Sequence, residues 1–391
     1  MTSAVGTPTV EQLLAGAEQV GKLAEKEAAE AEKNASVSEN VIRLIKETKI
    51  SRILLPKKYN EPQVDLRTFD QIIRRVAYYD VSAAWLTFLY ALHNVLPSFL
   101  PPAGRDEIVN QGGLICDIFA ALGKGEREGN GFRISGQWDF VSGVLHSDWV
   151  GVGVFLQFPD RDKPEFCLPI LRTSEVKIVR NWDTMGLRGT GSNRIIVDNV
   201  FVPDERVFRV ELAVQTRRPP EEDYDKSYPF YHVPFFPAFY LGFASIALGA
   251  ARRILDEFKK MTEKRYRLMD GIIESESPRS QRVLAEMTTQ YHASDALMNK
   301  YLDLLVNYEK NGAVTPNSEF FAIRTKIMKN CIDIAVRSLL TLGGAAIYKG
   351  NPIEMMVRDI LSVGTHKVAL YEDAVAAYGK DLFGFNSGVR G

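Results

Sequence analysis

FRISGQWDFVSG (residues 132–143) opens the stretch that decides the fold, and SDWVGVGVFLQF (147–158), FCLPILR (166–172), VKIVRNWDTMG (176–186) and NRIIVDNVFVP (193–203) follow it. These runs are rich in β-branched and aromatic residues and are broken by Gly, Asn, Asp and Pro. Several alternate apolar with polar side chains, the pattern of half-buried antiparallel strands. No crossover helix stands between them, so a parallel βαβ sheet is disfavoured and a small antiparallel sheet or barrel is expected.

Helical periodicity flanks this centre on both sides. Upstream, Leu13, Ala17, Val20 and Leu23 mark one stripe of a helix over Thr9–Lys33, and Ser38 stands as an N-cap before ENVIRLIKETKI. Arg67–Tyr79 and Val81–Leu100 continue the pattern, which Pro101-Pro102 is expected to stop. Downstream, the polar segment Gln215–His232 reads as a functional cover or an unstructured connection. Four long periodic stretches then follow, Pro237–Thr262, Pro278–Asn311, Asn317–Leu342 and Glu354–Gly379, and their short breaks argue for an antiparallel bundle. The expected division is an N-terminal α-helical domain (1–112), a middle β-domain (113–212) and a C-terminal four-helix bundle (213–391).

Composition narrows the function. The chain has 391 residues, 46% of them hydrophobic, with 48 Lys+Arg against 49 Asp+Glu. A net charge of −1 offers no general attraction to nucleic acid or anionic lipid, so neither is expected as a partner. Cys116, Cys167 and Cys331 are odd in number and far apart, which suits a reducing, cytoplasmic setting. The N-terminal residues lack a basic start, an apolar run and a cleavage site, so no signal peptide is expected. The apolar stretch around Phe235–Ala251 contains Pro237 and small residues and reads as a buried helix rather than a membrane span.

The five histidines, His93, His146, His232, His292 and His366, have no partners at metal-ligand spacing, so no metal is expected. A P-loop, a nucleophile elbow and a dinucleotide fingerprint are all missing. The Gly-rich run from Gly186 through Gly189, Thr190, Gly191 and Ser192 leads into a strand rather than a helix. It reads either as a tight turn or as a backbone that approaches a flat ligand closely, aided by the Thr190 and Ser192 hydroxyls.

Trp138-Asp-Phe140-Val-Ser142-Gly, Asp148-Trp149, Trp182-x3-Gly186-x3-Thr190-Gly-Ser192, Leu342-Gly343-Gly344 and Arg358-Asp359 together resemble the acyl-CoA dehydrogenase superfamily, over essentially the whole chain. The resemblance implies an α+β, acyl-CoA dehydrogenase-like fold. In that family the β-domain holds a flavin ring against the helical bundle, and the bundle forms a homotetramer in which a neighbouring subunit meets the cofactor.

One chemical question divides the superfamily. A dehydrogenase needs a carboxylate to remove an α-proton from its thioester. In many members that Glu lies nine residues after the Arg of Arg-Asp, but here the ninth position is Lys367, or Val363 when Gly364-Thr365 is aligned. His366 stands at the eighth. Some members carry the base on an earlier helix, which leaves Glu257 and an FAD-dependent acyl-CoA dehydrogenase as the alternative. A non-catalytic flavin-binding paralogue is a third reading.

A His at 366, a His on an early helix and the Trp-x-Phe-x-Ser-Gly string resemble the flavin-dependent monooxygenase branch. That branch includes the oxygenase components of p-hydroxyphenylacetate hydroxylase and seco-steroid phenol hydroxylase, and dibenzothiophene monooxygenase. Such enzymes take reduced FMN or FAD from a separate NAD(P)H flavin reductase and react it with O2 to a C4a-hydroperoxide. By this resemblance His366 stabilises or protonates the oxygen adduct, Ser142 holds the flavin N5–H, and His93 contacts the substrate hydroxyl. Trp138, Phe140, Trp182, Thr190 and Ser192 are implied to line the flavin, and Arg265 (or Arg267) with Gly343 and Gly344 to meet its phosphates or approach it closely. The aromatic-rich segment Tyr224–Phe239 favours a flat, apolar or phenolic small-molecule substrate.

Overall fold

The computed structural model describes residues 7–310 and 315–389. The first helix, α1 (Val10–Asn34), starts at a capping box in which Thr9 and Gln12 satisfy each other's backbone donors. Its buried stripe is mostly small (Gly16, Ala17, Gly21, Ala24, Ala28), so neighbouring chain packs against its backbone. Ser38 caps α2 (Glu39–Glu47) through the Val41 amide, as its sequence context predicts. Helices α3 (Leu66–Ala77) and α4 (Val81–His93) follow, with Asp80 capping α4. Helix α4 is buried nearly all round, which places it at the centre of the molecule.

Two expectations for this region need correction. Helix α4 ends at His93 rather than near Leu100, and a short 3-10 turn covers Leu96–Phe99. Pro102 then starts α5 (Pro102–Asn110) instead of terminating a helix, because a proline's missing N–H costs nothing in a first turn.

Strands β1 (Ile115–Glu128), β2 (Gly131–Val141), β3 (Trp149–Leu156), β4 (Glu165–Arg172), β5 (Lys177–Val179), β6 (Asn193–Pro203) and β7 (Val207–Arg209) form one seven-stranded sheet in the order β5-β6-β2-β1-β3-β4-β7. Every neighbouring pair is antiparallel except β1 and β3, which run parallel, so the sheet is mixed rather than wholly antiparallel. Phe132, Trp138, Val152, Val154 and Ile195 fill its own apolar core. The helices share a second, larger core to which both ends of the chain contribute.

Helix α6 (Val210–Thr216) leads into the polar connection, which is pinned: the Tyr228 and Tyr231 hydroxyls donate to the carbonyls of Leu54 and Ser98 at 2.6 Å. A short α7 (Phe235–Phe239) precedes the buried α8 (Leu241–Lys264). A Cβ on Gly242 would lie 2.0 Å from the Phe88 ring, so only glycine lets α8 cross α4 this closely. A small hairpin of β8 (Tyr266–Arg267) and β9 (Ile272–Ile273) leads to α9 (Pro278–Val306) and α10 (Asn317–Leu342). The predicted end of α9 at Asn311 lies outside the described residues, as do Met1–Gly6. The stretch read as one helix over Glu354–Gly379 is two, α11 (Pro352–Gly364) and α12 (Tyr371–Leu382), and His366 sits in the break between them.

Candidate active site

At the site, α4 meets the tip of the sheet. The Trp85 indole N–H on α4 donates to Ser142 Oγ at 3.1 Å, and Ser142 Oγ lies 2.7 Å from Ser192 Oγ. Ser192 Oγ lies 2.7 Å from Thr190 Oγ1, which donates to the Leu187 carbonyl at 2.7 Å. Each hydroxyl has one proton to give. Thr190 uses its proton on Leu187, so Ser192 donates to Thr190 and Ser142 donates to Ser192. The chain of bonds therefore runs one way, from Trp85 to Leu187. Ser142 is left with a spare lone pair and no spare proton, so it presents an acceptor to any ligand beside it.

Strict alternation along β2 would put Trp138, Phe140 and Ser142 on one face. The register between β2 and β6 shifts between Trp138 and Val141, and Phe140 takes a positive φ of 65°. This irregularity, typical of a bulge, re-aims the strand end. Trp138 is fully buried, its indole donating to the Ala120 and Gly153 carbonyls at 2.9 and 3.2 Å. It belongs to the sheet core and not to the ligand-facing surface. Phe140 is turned outward, 67% exposed, with its ring edge-on to Trp182 at 6.0 Å. A bulky residue held at positive φ with its ring in solvent is unusual enough to suggest a surface kept for a ligand or partner.

His366 closes the other side. Its ring lies 4.7 Å from Phe243 and 5.8 Å from Trp85, measured between ring centres. Nδ1 accepts the Val368 amide N–H at 3.3 Å, so a neutral imidazole carries its proton on Nε2. The ring keeps an exposed edge. The protein crowded around the rest of it, with help from the Arg324 charge, holds its pKa down to about 4. It is thus a neutral N–H donor at physiological pH.

His93, at the end of α4, is buried against Phe239, the two rings stacked at 5.7 Å and 13°. Its Nε2 lies 3.2 Å from Asp117 Oδ2, without hydrogen-bond alignment. Burial pushes the His93 pKa down to about 3, so its imidazole is neutral, and raises the Asp117 carboxyl well above its ordinary value. Asp117 escaped the sequence reading because it is one acid in a strand, 24 residues along the chain from His93.

Asp359 was read only as half of a motif. Its Oδ1 accepts the Leu187 amide at 2.7 Å, fixing the turn from which Thr190 and Ser192 project. Gly186 lets this loop reach α11, since a Cβ there would lie 2.4 Å from the Arg358 carbonyl. Burial, then the nearby Asp80, raises the Asp359 pKa to about 8.

The remaining predicted residues lie elsewhere. Arg265 donates to the Leu342 carbonyl, beside Gly343 and Gly344, at the far end of α8. That end is about 30 Å along the helix from Phe243 at a rise of 1.5 Å per residue. Within one chain these three residues and Ser142 form two separate groups. Glu257 is buried between Arg253 (3.1 Å) and Lys260 (3.4 Å), roughly 20 Å along α8 from Phe243, so it does not face His366.

Residues 241–370 match the family described as acyl-CoA dehydrogenase, C-terminal domain. The chain is 26% identical over 366 residues to "p-hydroxyphenylacetate 3-hydroxylase, oxygenase component" of Acinetobacter baumannii, covering 92% of this chain and 86% of that protein. It is 26% identical over 368 residues to "Indole-3-acetate monooxygenase" of Pseudomonas putida, covering 92% and 89%. Among solved structures, XiaF from Streptomyces sp. in complex with FADH2 and glycerol superposes with a TM-score of 0.89 at 21% identity, covering 97% of each chain. The chain has the acyl-CoA dehydrogenase fold, and over most of its length its sequence is similar to the oxygenase components of flavin-dependent monooxygenases.

Proposed function

We propose that this chain is the oxygenase component of a two-component flavin-dependent monooxygenase that hydroxylates an aromatic or phenolic small molecule. The observation that carries the reading is the pairing of a neutral imidazole, His366, with the one-way hydroxyl chain ending at Ser142, across the Trp85 ring. The carboxylate that thioester oxidation would need is committed elsewhere, since Glu257 is ion-paired far along α8.

The residues fit a flavin. Phe140 and Trp182 offer aromatic surface for a flat ring system, next to Ser142 as an acceptor for a ring N–H. Reduced flavin, when bound, supplies the electrons that activate dioxygen. An acceptor-only Ser142 suits a ring nitrogen that carries hydrogen, which is the reduced state. His366 Nε2–H would donate to negative charge developing at the ring edge. Phe243 and Trp85 exclude water from its flank. His93 and Asp117 would orient a substrate hydroxyl, with Phe239 stacked behind His93.

The cofactor is FMN or FAD, delivered by a separate flavin reductase in the cytoplasm. The group of Arg265, Gly343 and Gly344 would serve a neighbouring subunit of a homotetramer, a role supported by its distance of about 30 Å along α8 from Phe243 within one chain. Leu340, Ile347 and Tyr348, all largely exposed near that group, provide apolar contact for assembly.

The test supplies the purified protein with reduced FMN or FAD, oxygen and a panel of phenols and indoles. Hydroxylated product with little free hydrogen peroxide supports the reading. Reduction of bound FAD by an acyl-CoA, with no oxygenation, replaces it with the dehydrogenase.

A further inference from the structure

The connection between α1 and α2 lies across the two turns that carry the site hydroxyls. Its Val37 amide donates to the Gly189 carbonyl at 2.7 Å, and Arg188 Nε donates to the Glu32 carbonyl at 2.8 Å. The Gly143 amide donates to the Thr190 carbonyl at 2.9 Å, which joins the Ser142 turn to the Thr190 turn. The 3-10 turn Val144–His146 follows directly, and His146 Nε2 lies 2.9 Å from Ser36 Oγ. These bonds close a circuit, from the connection through Gly189, Thr190, Gly143 and His146 back to Ser36. The fit is close, since a Cβ on Gly191 would meet Leu145 at 3.2 Å and the Ala35 carbonyl at 3.3 Å.

His146 is the incompletely satisfied link of that circuit. Ser36 donates its one proton to the Val37 carbonyl at 3.1 Å, so the imidazole gives its Nε2–H to Ser36. A neutral ring then leaves Nδ1 as a bare acceptor. Nδ1 lies 3.1 Å from Glu39 Oε1, without hydrogen-bond alignment and with no other partner. Two acceptors face each other, and the contact becomes attractive only when a proton stands between them. The imidazole is 7% exposed and held, whereas the Glu39 carboxylate is 83% exposed and can swing into line. Both border a cleft of about 550 Å3, which gives solvent protons access. Glu39 on α2 favours the imidazolium and Lys46 on the same helix opposes it, while Glu30 on α1 and Arg180 near Trp182 bring opposite charges to the cleft. Burial outweighs these and lowers the His146 pKa, so the ring is neutral at pH 7 and takes its proton in mild acid.

We propose that His146 is a positioning residue for the flavin-facing turns: a proton taken up at Nδ1 bonds Glu39, closes the α1–α2 connection onto those turns and tightens their hold on reduced flavin. This rests on the flavin reading of Ser142, Thr190 and Ser192, but the proton uptake itself requires no flavin. The two binding events are linked, so flavin and proton strengthen each other to the same extent.

The test measures the affinity of the full chain for reduced FMN and, separately, reduced FAD, anaerobically from about pH 7.5 to about pH 5.5, beside the histidine Cε1–H resonances. Affinities of parent, Glu39→Ala and Glu39→Gln are compared as ratios at each pH, so that titration of the flavin itself cancels. Glu39→Ala cannot close, and should match the parent at the neutral end but bind roughly threefold or more weaker at the acid end. Glu39→Gln offers an amide N–H to the bare Nδ1, so it should bind tighter than the parent near neutrality and match it in acid. The His146 resonance, identified by its loss in His146→Asn, should titrate lower in both Glu39 variants and higher in the parent once flavin is bound. A merely structural imidazole would move none of these pH profiles. A constant ratio of parent to Glu39→Ala, a Glu39→Gln that behaves as Glu39→Ala, or a His146 titration that ignores flavin would overturn the proposal. Hydroxylation with a constant ratio would sink the proton-driven closure and leave the oxygenase reading intact. A flavin-linked His146 titration without any oxygenation would do the reverse, and failure to bind either flavin would overturn both.

Discussion

The Trp85 indole donates its one N–H to Ser142 at 3.1 Å while its ring packs edge-to-face on His366 at 5.8 Å. One side chain thus orients the hydroxyl and walls the imidazole. Trp85→Phe separates these tasks, because it keeps a ring against His366 and Phe243 but removes the donor. Ser142 still donates to Ser192, because the Leu187 carbonyl fixes the direction of the chain, but its oxygen loses the donor that positions it, so affinity for reduced flavin should weaken several-fold. Peroxide released per oxygen consumed should rise. Titration of both flavin redox states under anaerobic conditions checks the first, and a peroxide assay the second.

Ser142→Ala should be more severe at the same place, since it deletes the acceptor and leaves the buried Trp85 N–H unpaired. Stability should fall by about 1–3 kcal/mol, and oxygen consumption should divert to peroxide. A denaturant melt together with product and peroxide yields reads both. Full coupling in this variant would reduce Ser142 to a structural hydroxyl.

His366→Ala should leave folding and flavin binding nearly intact, because the residue caps a short turn and keeps an exposed edge. Product formation should fall by roughly 10²-fold or more if the imidazole is the proton donor. The pKa of about 4 also sets a pH signature. The folded value lies below the unfolded one near ~6.5, so the neutral form is favoured by folding and stability is lost as pH falls from the unfolded towards the folded value. His366→Ala should lose less stability than the parent over that acid window. Coupling in the parent should be level across neutral pH.

Asp359 gives the opposite slope. Its folded pKa of about 8 lies above the unfolded carboxyl value, so its contribution is present at acid pH and is lost as pH rises through about 8. Asp359→Asn keeps an oxygen for the Leu187 amide but cannot ionise. The two proteins should melt alike near pH 4, and the variant should be more stable by roughly 1–3 kcal/mol at alkaline pH. Thermal melts across that range test it.

Glu257→Gln should leave any hydroxylation unchanged, since the side chain serves Arg253 and Lys260 rather than His366. A loss of turnover with unchanged stability would revive the dehydrogenase reading.

Much of this was legible in the chain. The strand-rich centre, the Ser38 cap and the helices of the bundle follow from local periodicity and local chemistry, which short stretches encode. The Thr190 and Ser192 hydroxyls could be picked out because a Gly-rich turn flags its own neighbours, whereas Ser142 was reached only through the family resemblance. What could not be read was set by distant packing. Trp138 turned inward because a register shift cancels the two-residue alternation that would have paired it with Phe140. His366 looked helical because nothing in Gly364–Leu370 announces a break as Gly or Pro clusters do elsewhere. Asp117 and Arg324 carry no local signal at all: an acid in a strand and an arginine in a helix become notable only once the fold removes their water.

The distance along α8 between Arg265 and Phe243 has a practical consequence. On the proposed tetramer, a solitary copy would hold two half-sites about 30 Å apart along α8, and dilution would loosen its cofactor while every helix stays folded. Specific turnover should therefore climb with enzyme concentration until assembly saturates, and assays run at great dilution will understate what the protein can do.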